Sequence, residues 1–345
     1  MLVVSGYVYK DGKFFEGTVY IDEGIIKDVT RGINRDASIK GVIIPKPHNA
    51  HVHLLDYIAK DATEERDLIR LVAPPNGVKH RALREASDDM LKNALSIARA
   101  LAEKYHLGLV TEFRELGKRG ASLGRPSEIF RVLSRPKNPD EAKILIKISD
   151  GFNISSISDV GYEIAEEISR IARSHRKMLG IHVSERIRED IDAVLDLNPT
   201  FLVHAVEATR DDLVKISSEG IPVVICPRSN AYFGLFPKVD EMIRVGIRVL
   251  LGTDNHMINS MNVFEEAEFL YKISRVIGQK IRALDIIRML FRDFTHDFNV
   301  EEGVTADKII VIGDLRGKPE LIVLNRHSSA PIYDLSSPRV AMRSA

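Results

Sequence analysis

Hydrophobic and polar positions change their period along this chain. Over roughly the first forty residues apolar and polar side chains alternate, with turn signals at Lys10-Asp11-Gly12 and Asp22-Glu23-Gly24. That is the period-2 signature of half-buried strands, and it predicts a β-meander. From residue 41 onward short apolar runs alternate with longer stretches of helical period. Candidate strands cover 41–47, 107–113, 121–124, 143–149, 178–183, 200–205, 221–226 and 247–253, and helical patterns cover 87–104, 158–173, 210–218 and 263–276. Such alternation favours parallel βαβ units and hence an α/β barrel. The last segment returns to strand-like runs, Lys308-Ile309-Ile310-Val311-Ile312 and Leu321-Ile322-Val323-Leu324, which could pair with the N-terminal meander. One interval fits badly: about seven residues separate 107–113 from 121–124, whereas a parallel crossover usually needs about a dozen or more. Either the barrel is locally reduced there or its third strand lies elsewhere.

The chemistry-bearing residues cluster at the ends of the apolar runs. Gly41-Val42-Ile43-Ile44-Pro45 leads to Asn49-Ala50-His51-Val52-His53. Alternate residues of a strand share a face, so His51 and His53 project side by side, as a divalent metal site needs. Met178-Leu179-Gly180-Ile181 leads to His182, Phe201-Leu202-Val203 to His204, and Val249-Leu250-Leu251-Gly252-Thr253 to Asp254. In a (β/α)8 barrel the functional groups gather at the strand C-termini, where all of these fall. Imidazole and carboxylate together suit zinc or ferrous iron, whereas magnesium would call for oxygen ligands. The expected shell for one divalent metal is His51, His53, His182 and Asp254, with one position left for water. His106, His175, His296 and His327 are read as packed or surface residues.

Five motifs carry a resemblance: Pro47-His48-Asn49-Ala50-His51-Val52-His53, Gly180-Ile181-His182-Val183-Ser184-Glu185, Val203-His204-Ala205, Ile225-Cys226-Pro227-Arg228-Ser229-Asn230 and Leu251-Gly252-Thr253-Asp254-Asn255. In content and order they resemble the amidohydrolase superfamily, specifically its cytosine deaminase-like and chlorohydrolase-like branch. The resemblance implies a distorted (β/α)8 TIM barrel over 43–305, with a small composite β-sandwich domain built from 1–42 and 306–345. It further implies that Glu185 shuttles a proton to a ring nitrogen of the substrate. His204 then serves as second base or electrostatic guide, or alternatively as a ligand of a second metal. Binuclear members bridge their metals with a carboxylated lysine at the end of the fourth strand. Lys147 lies in the fourth candidate strand but does not end it, and His-x-x-Glu is the mononuclear pattern, so one metal is favoured.

Substrate determinants are expected among the loops that follow the strands. Arg114 and Asp150 are the first candidates, with Glu112, Glu115, Asn153, Arg228, Asn230 and His256 as further ones. Residues 71–81, rich in turn formers and cations, read as a lid or a plain surface loop.

Composition narrows the remaining classes. Basic and acidic residues balance at 49 each, which leaves no electrostatic footprint for nucleic acid or an anionic membrane and favours a small-molecule substrate. One cysteine excludes an internal disulfide framework, and also the Pro-Cys-x-x-Cys zinc motif of the cytidine-deaminase fold. No uncharged run approaches the roughly 20 residues of a membrane span and no secretory leader precedes the first strands, so a cytoplasmic enzyme is expected. The expected reaction is hydrolytic deamination of an exocyclic amine on a pyrimidine, purine, pterin or triazine. Hydrolysis of a ring or linear amide, and a catalytically silent binding or assembly relative, are the alternatives; homo-oligomerisation is left open.

Overall fold

Two sheets take up the strand patterns in the computed structural model, which describes residues 1–72 and 76–336. The meander consists of β1 (Leu2–Lys10), β2 (Lys13–Asp22) and β3 (Ile25–Arg31), followed by β4 (Ile39–Pro45). Between β1 and β2, Asp11 and Gly12 both have positive φ, 50° and 69°, as the hairpin turn favoured by Asp-Gly requires. The second sheet is built from β5 (His48–His53), β6 (Leu109–Arg114), β7 (Phe130–Ser134), β8 (Gly151–Ile154), β9 (Met178–Val183), β10 (Phe201–His204), β11 (Val223–Ile225), β12 (Val249–Leu251) and β13 (Asp254–Asn255). The chain then supplies β14 (Ile309–Ile312) and β15 (Ile332–Asp334).

The chain divides into two compact units, one of residues 1–48, 106–108 and 267–345, the other of 49–105 and 109–266. The first holds a six-stranded, mainly antiparallel sheet in the order β15-β14-β4-β1-β2-β3, in which only β1 and β4 pair in parallel. One face packs Val4, Val8, Val19, Ile43 and Val311 into a core with Val300 and Leu335. Residues 337–345, part of the expected C-terminal segment, lie outside the described residues.

The second unit carries a nine-stranded sheet in the order β12-β11-β10-β9-β8-β7-β6-β5-β13. Its strands run parallel and are almost wholly buried, as expected for a sheet covered on both faces. β12 and β13 stand at opposite edges of that order, yet only Gly252 and Thr253 separate them in sequence. The sheet therefore curls until its edges meet. Gly252 N donates to Ile225 O of β11 at 3.0 Å, and the next amide, Thr253 N, donates to His51 O of β5 at 2.9 Å. Asn49 fastens the seam: Nδ2 donates to Thr253 Oγ1 at 2.8 Å, and Oδ1 accepts from Thr253 N at 3.1 Å.

Several elements differ from the sequence reading. The run 41–47 lies mostly in β4 of the other sheet, and the two histidines sit within the separate strand β5. Residues 117–122 are helical, so 121–124 is no strand; the third strand is β7, which leaves 115–129 for a crossover of ordinary length. Residues 139–145 form a helix capped by Asn138, whose side chain accepts from Glu141 N, with buried Ala142 and Leu145 at helical spacing. Lys147 is thus an exposed residue on the turn before β8, which removes the candidate for a bridging lysine. Leu321–Leu324 belongs to the helix Pro319–Arg326, because a short apolar run has no period that separates a strand from a buried helix. Of the segment 71–81, read as a lid or loop, residues 71–72 end the helix Leu68–Val72 and 78–81 open the helix Val78–Glu85, while 73–75 lie outside the described residues. Among the described residues no helix is long and apolar enough to cross a membrane.

The seam leaves no room at residue 252: a Cβ there would lie 2.7 Å from His51 Cβ and 2.9 Å from His51 N and O. Gly252→Ala should therefore lose about 1–3 kcal/mol or more of unfolding free energy in a denaturant titration. Gly124→Ala, whose Cβ meets only Leu95 Cδ1 at 3.5 Å, should stay within about 0.5 kcal/mol of the parent. Equal midpoints for the two variants would contradict a seam at Gly252.

Candidate metal centre

His51 and His53 alternate along β5 and so point to the same side of the curled sheet. His182 lies near the end of β9, His204 ends β10 and Asp254 begins β13. His204 and Asp254 adopt left-handed backbone, φ 76° and 55°, a strained conformation for residues with side chains that is characteristic of functional sites. His51, His182, His204 and Asp254 each present a ligand atom within 4.8 Å of the others; of the expected shell, His53 reaches this group through Asp254. His51 Nε2 lies 3.3 Å from His182 Nε2 and 3.2 Å from Asp254 Oδ1, and His53 Nε2 lies 3.5 Å from Asp254 Oδ1. His204 stands close by, its ring centroid 5.2 Å from that of His182.

The second nitrogen of each ring decides what the first can do. His182 Nδ1 donates to Ile154 O at 3.2 Å, and His53 Nδ1 faces the Glu115 carboxylate 2.6 Å from Oε1, a contact that favours a proton on Nδ1. Both rings therefore turn an unprotonated Nε2 toward Asp254 and His51. Lone pairs facing one another at such distances repel unless a cation stands between them, and three imidazoles with one carboxylate suit zinc. His204 differs. Asn230 Nδ2 donates to its Nδ1 at 3.2 Å, so the neutral ring carries its proton on Nε2, which lies 3.6 Å from Glu185 Oε1.

Electrostatics agree with that division. Burial holds the His51 pKa down to about 3 in spite of the Asp254 carboxylate beside it, and burial with the neighbouring imidazoles holds His182 well below the ordinary histidine value. Both rings are neutral, as ligation requires. Burial alone would raise Asp254, but the His51 ring 3.2 Å away and the other surrounding imidazoles hold it well below the usual carboxylate range. Burial and the Asp254 charge push Glu185 up against the pull of His204, toward a group that can both take and give a proton.

The Cys226-Pro227-Arg228-Ser229-Asn230 stretch supports these groups from one short helix, Pro227–Tyr232. Ser229 Oγ donates to Asp254 Oδ2 at 2.5 Å, and Asn230 sets the His204 tautomer. Arg228 turns away and donates through Nε to Glu266 Oε1 at 2.6 Å.

A cavity of about 310 Å³ opens over the cluster, with His53, His182, Glu185, His204 and Asp254 at its floor and Leu68, Ile69, Val72 and Phe233 among its walls. Arg114 and Asp150 do not line it. Two residues apart on β6, Glu112 and Arg114 share a face, and the guanidinium is spent on Glu112 and on Gly120 O at 3.0 Å. Asp150 Oδ2 accepts from Val132 N at 2.9 Å. The polar lining is instead Lys79, Arg135, Ser155 and Ser156 among others. Arg135 directly follows β7 and Ser155-Ser156 follow β8, the two strands misplaced in the sequence reading, so their position at strand ends was hidden. Lys79 gives no local signal, because its partners Asp56 and Glu115 are distant in sequence.

No family model matches the chain. It is 32% identical over 352 aligned residues, 91% of each chain, to a protein of Methanothermobacter thermautotrophicus that carries the provisional name aminohydrolase. It is 22% identical to the 5-methylthioadenosine/S-adenosylhomocysteine deaminase of Pyrococcus furiosus, over 96% of this chain and 90% of the relative. Among solved structures, an adenosine deaminase from Xanthomonas campestris with bound zinc superposes with a TM-score of 0.78 at 17% identity, covering 98% of this chain and 92% of that one.

Arg114 supplies a direct check of the site's boundary. Arg114→Met should cost roughly 3–5 kcal/mol of unfolding free energy, because it strands the fully buried Glu112. Glu112→Gln/Arg114→Met should recover much of the loss. A stable Arg114→Met protein with altered ligand binding would return Arg114 to the site.

Proposed function

Since the chain belongs to the amidohydrolase superfamily and is a hydrolase of carbon–nitrogen bonds other than peptide bonds, we propose that it is a mononuclear, metal-dependent deaminase of an aminated nitrogen heterocycle. The observation that carries this reading is the split among the histidines: His53 and His182 turn bare Nε2 atoms to the cluster, whereas His204 turns an N–H. His51, His53, His182 and Asp254 would hold the ion, and zinc is favoured by the donor set and by the zinc in the adenosine deaminase of similar fold. Bound there, a divalent ion supplies the Lewis acidity that brings the pKa of a water to about 7. The same membership supports reading the curled sheet and its helices as a distorted (β/α)8 barrel, with the chain termini forming the second, smaller domain.

The chain's own groups complete the chemistry. Glu185 takes the proton of the attacking water in this reading and delivers it to the ring nitrogen next to the amine-bearing carbon. His204 Nε2–H then donates to the oxygen that adds to that carbon. Asp254, fixed by Ser229, accepts the remaining hydroxyl proton, which leaves with the amine as ammonia. A cavity of about 310 Å³ is at the small end for small-molecule sites. An aminopurine is the favoured ring, as the Pyrococcus and Xanthomonas enzymes carry adenosine-type names.

Purified protein should hold close to one zinc per chain, and His51→Ala or His182→Ala should remove most of it, as read by elemental analysis. Two tightly held ions per chain would overturn the mononuclear reading. Glu185→Gln should keep its metal and fold but lose about a hundred- to ten-thousandfold in turnover of an aminated heterocycle, measured by ammonia release. Near-normal turnover in that variant would remove Glu185 from the mechanism.

A further inference from the structure

A second buried charge cluster adjoins the metal centre through His53, and its Asp56 and Lys79 have no role in the chemistry above. His53, Asp56 and Glu115 each present a ligand atom within 4.8 Å of the others, a grouping that could itself take a cation. The ammonium of Lys79 stands there instead. Its Nζ lies 2.6 Å from Glu115 Oε1 and 2.9 Å from Asp56 Oδ2, and Oε1 of Glu115 is also the atom 2.6 Å from His53 Nδ1. Lys79 and His53 therefore share one carboxylate oxygen, with all four side chains at most 5% exposed. Burying a lysine with two carboxylates is a costly way to hold a fold, since apolar side chains of similar volume often do as well. The arrangement does fix a geometry: a Glu115 carboxylate held by the ammonium cannot swing away from the imidazole.

We infer that Lys79 is a positioning residue of the metal centre. Acting through Glu115, it fixes His53 as the Nδ1–H tautomer with Nε2 turned to His51, His182 and Asp254, while Asp56 anchors the ammonium from its other side. A fixed positive charge between the carboxylates also excludes a second ion from that pocket, so the ion is directed to the opposite edge of the His53 ring. Lys79 lines the cavity too, so one residue of the helix Val78–Glu85 serves both the cavity wall and a ligand. This inference rests on the proposed metal shell.

The test compares wild type, Lys79→Arg and Asp56→Asn/Lys79→Met, the last removing the ion pair as a unit so that no stranded carboxylate is left beyond Glu115. Zinc affinity is read by competition with a chelator, and the ligand field by the visible absorption of the cobalt(II)-loaded proteins. The double variant should bind zinc roughly 10–100-fold more weakly, the usual effect of losing support behind a ligand, with altered cobalt bands; Lys79→Arg should restore most of both. A folded double variant with wild-type affinity and cobalt spectrum overturns the inference. Nitrogen NMR of zinc-loaded wild type gives a check that needs no variant: His53 should carry its proton on Nδ1 and zinc on Nε2, and the reverse overturns it. Wild-type protein that takes up no zinc overturns the metal shell and this inference together, whereas wild-type uptake with an unaffected double variant overturns this inference alone.

Discussion

In a buried site His51 Nε2 stands 3.3 Å from His182 Nε2 and 3.2 Å from Asp254 Oδ1, and His53 Nε2 stands 3.5 Å from that same oxygen; that convergence is the constraint on which the rest of the second unit turns. Lone pairs packed so closely are unfavourable without a cation among them, so every surrounding contact has to hold the donors in place and keep them unprotonated. The contacts do so one ring at a time. A backbone carbonyl of β8 takes the outer N–H of His182, the Glu115 carboxylate stands 2.6 Å from the outer nitrogen of His53, and Ser229 fixes the far oxygen of Asp254. Burial holds His51 and His182 neutral. His204 lies equally near, yet Asn230 gives its ring the opposite polarity; a single amide separates a residue suited to donate a hydrogen bond from one suited to ligate.

The curled sheet is what delivers these groups to one place. β5 and β13 sit beside each other only because the chain passes from β12 to β13 through Gly252 and Thr253, whose amides bond to β11 and β5, the strands next to the two edges. Closure of the sheet and assembly of the donor set are thus one event: the glycine that lets the seam approach His51 without a clash stands two residues before Asp254. Left-handed backbone at His204 and Asp254 is strain that the seam and the short helix after Cys226 together hold in place.

Much of this was legible in the sequence, for a physical reason. Residues that end a buried parallel strand follow an apolar run, so His182, His204 and Asp254 each announced their position, and His51-x-His53 announced a shared face. What the pattern could not carry was the supporting layer. Lys79, Asp56 and Glu115 meet only through the fold, and a buried lysine looks like any surface lysine in one dimension. Arg114 misled for the converse reason: it does end a strand, but its charge is consumed two residues away by Glu112. The third and fourth strands differ from the pattern because 117–122 and 139–145 are short helices, the second ending in Ile144-Leu145 at the start of an apolar run that reads as a strand, and Arg135, Ser155 and Ser156 are hidden from the candidate site with those strands.

The account's central claim is a single ion held by His51, His53, His182 and Asp254, with His204 outside the shell. Anomalous diffraction at the zinc edge from crystals of the zinc-loaded protein tests it most directly. The account predicts one peak about 2.0–2.1 Å from Nε2 of His51, His53 and His182 and about 2.0–2.2 Å from a carboxylate oxygen of Asp254, with His204 Nε2 beyond bonding distance. Two peaks, or one peak bonded to His204 in place of His53, would contradict it.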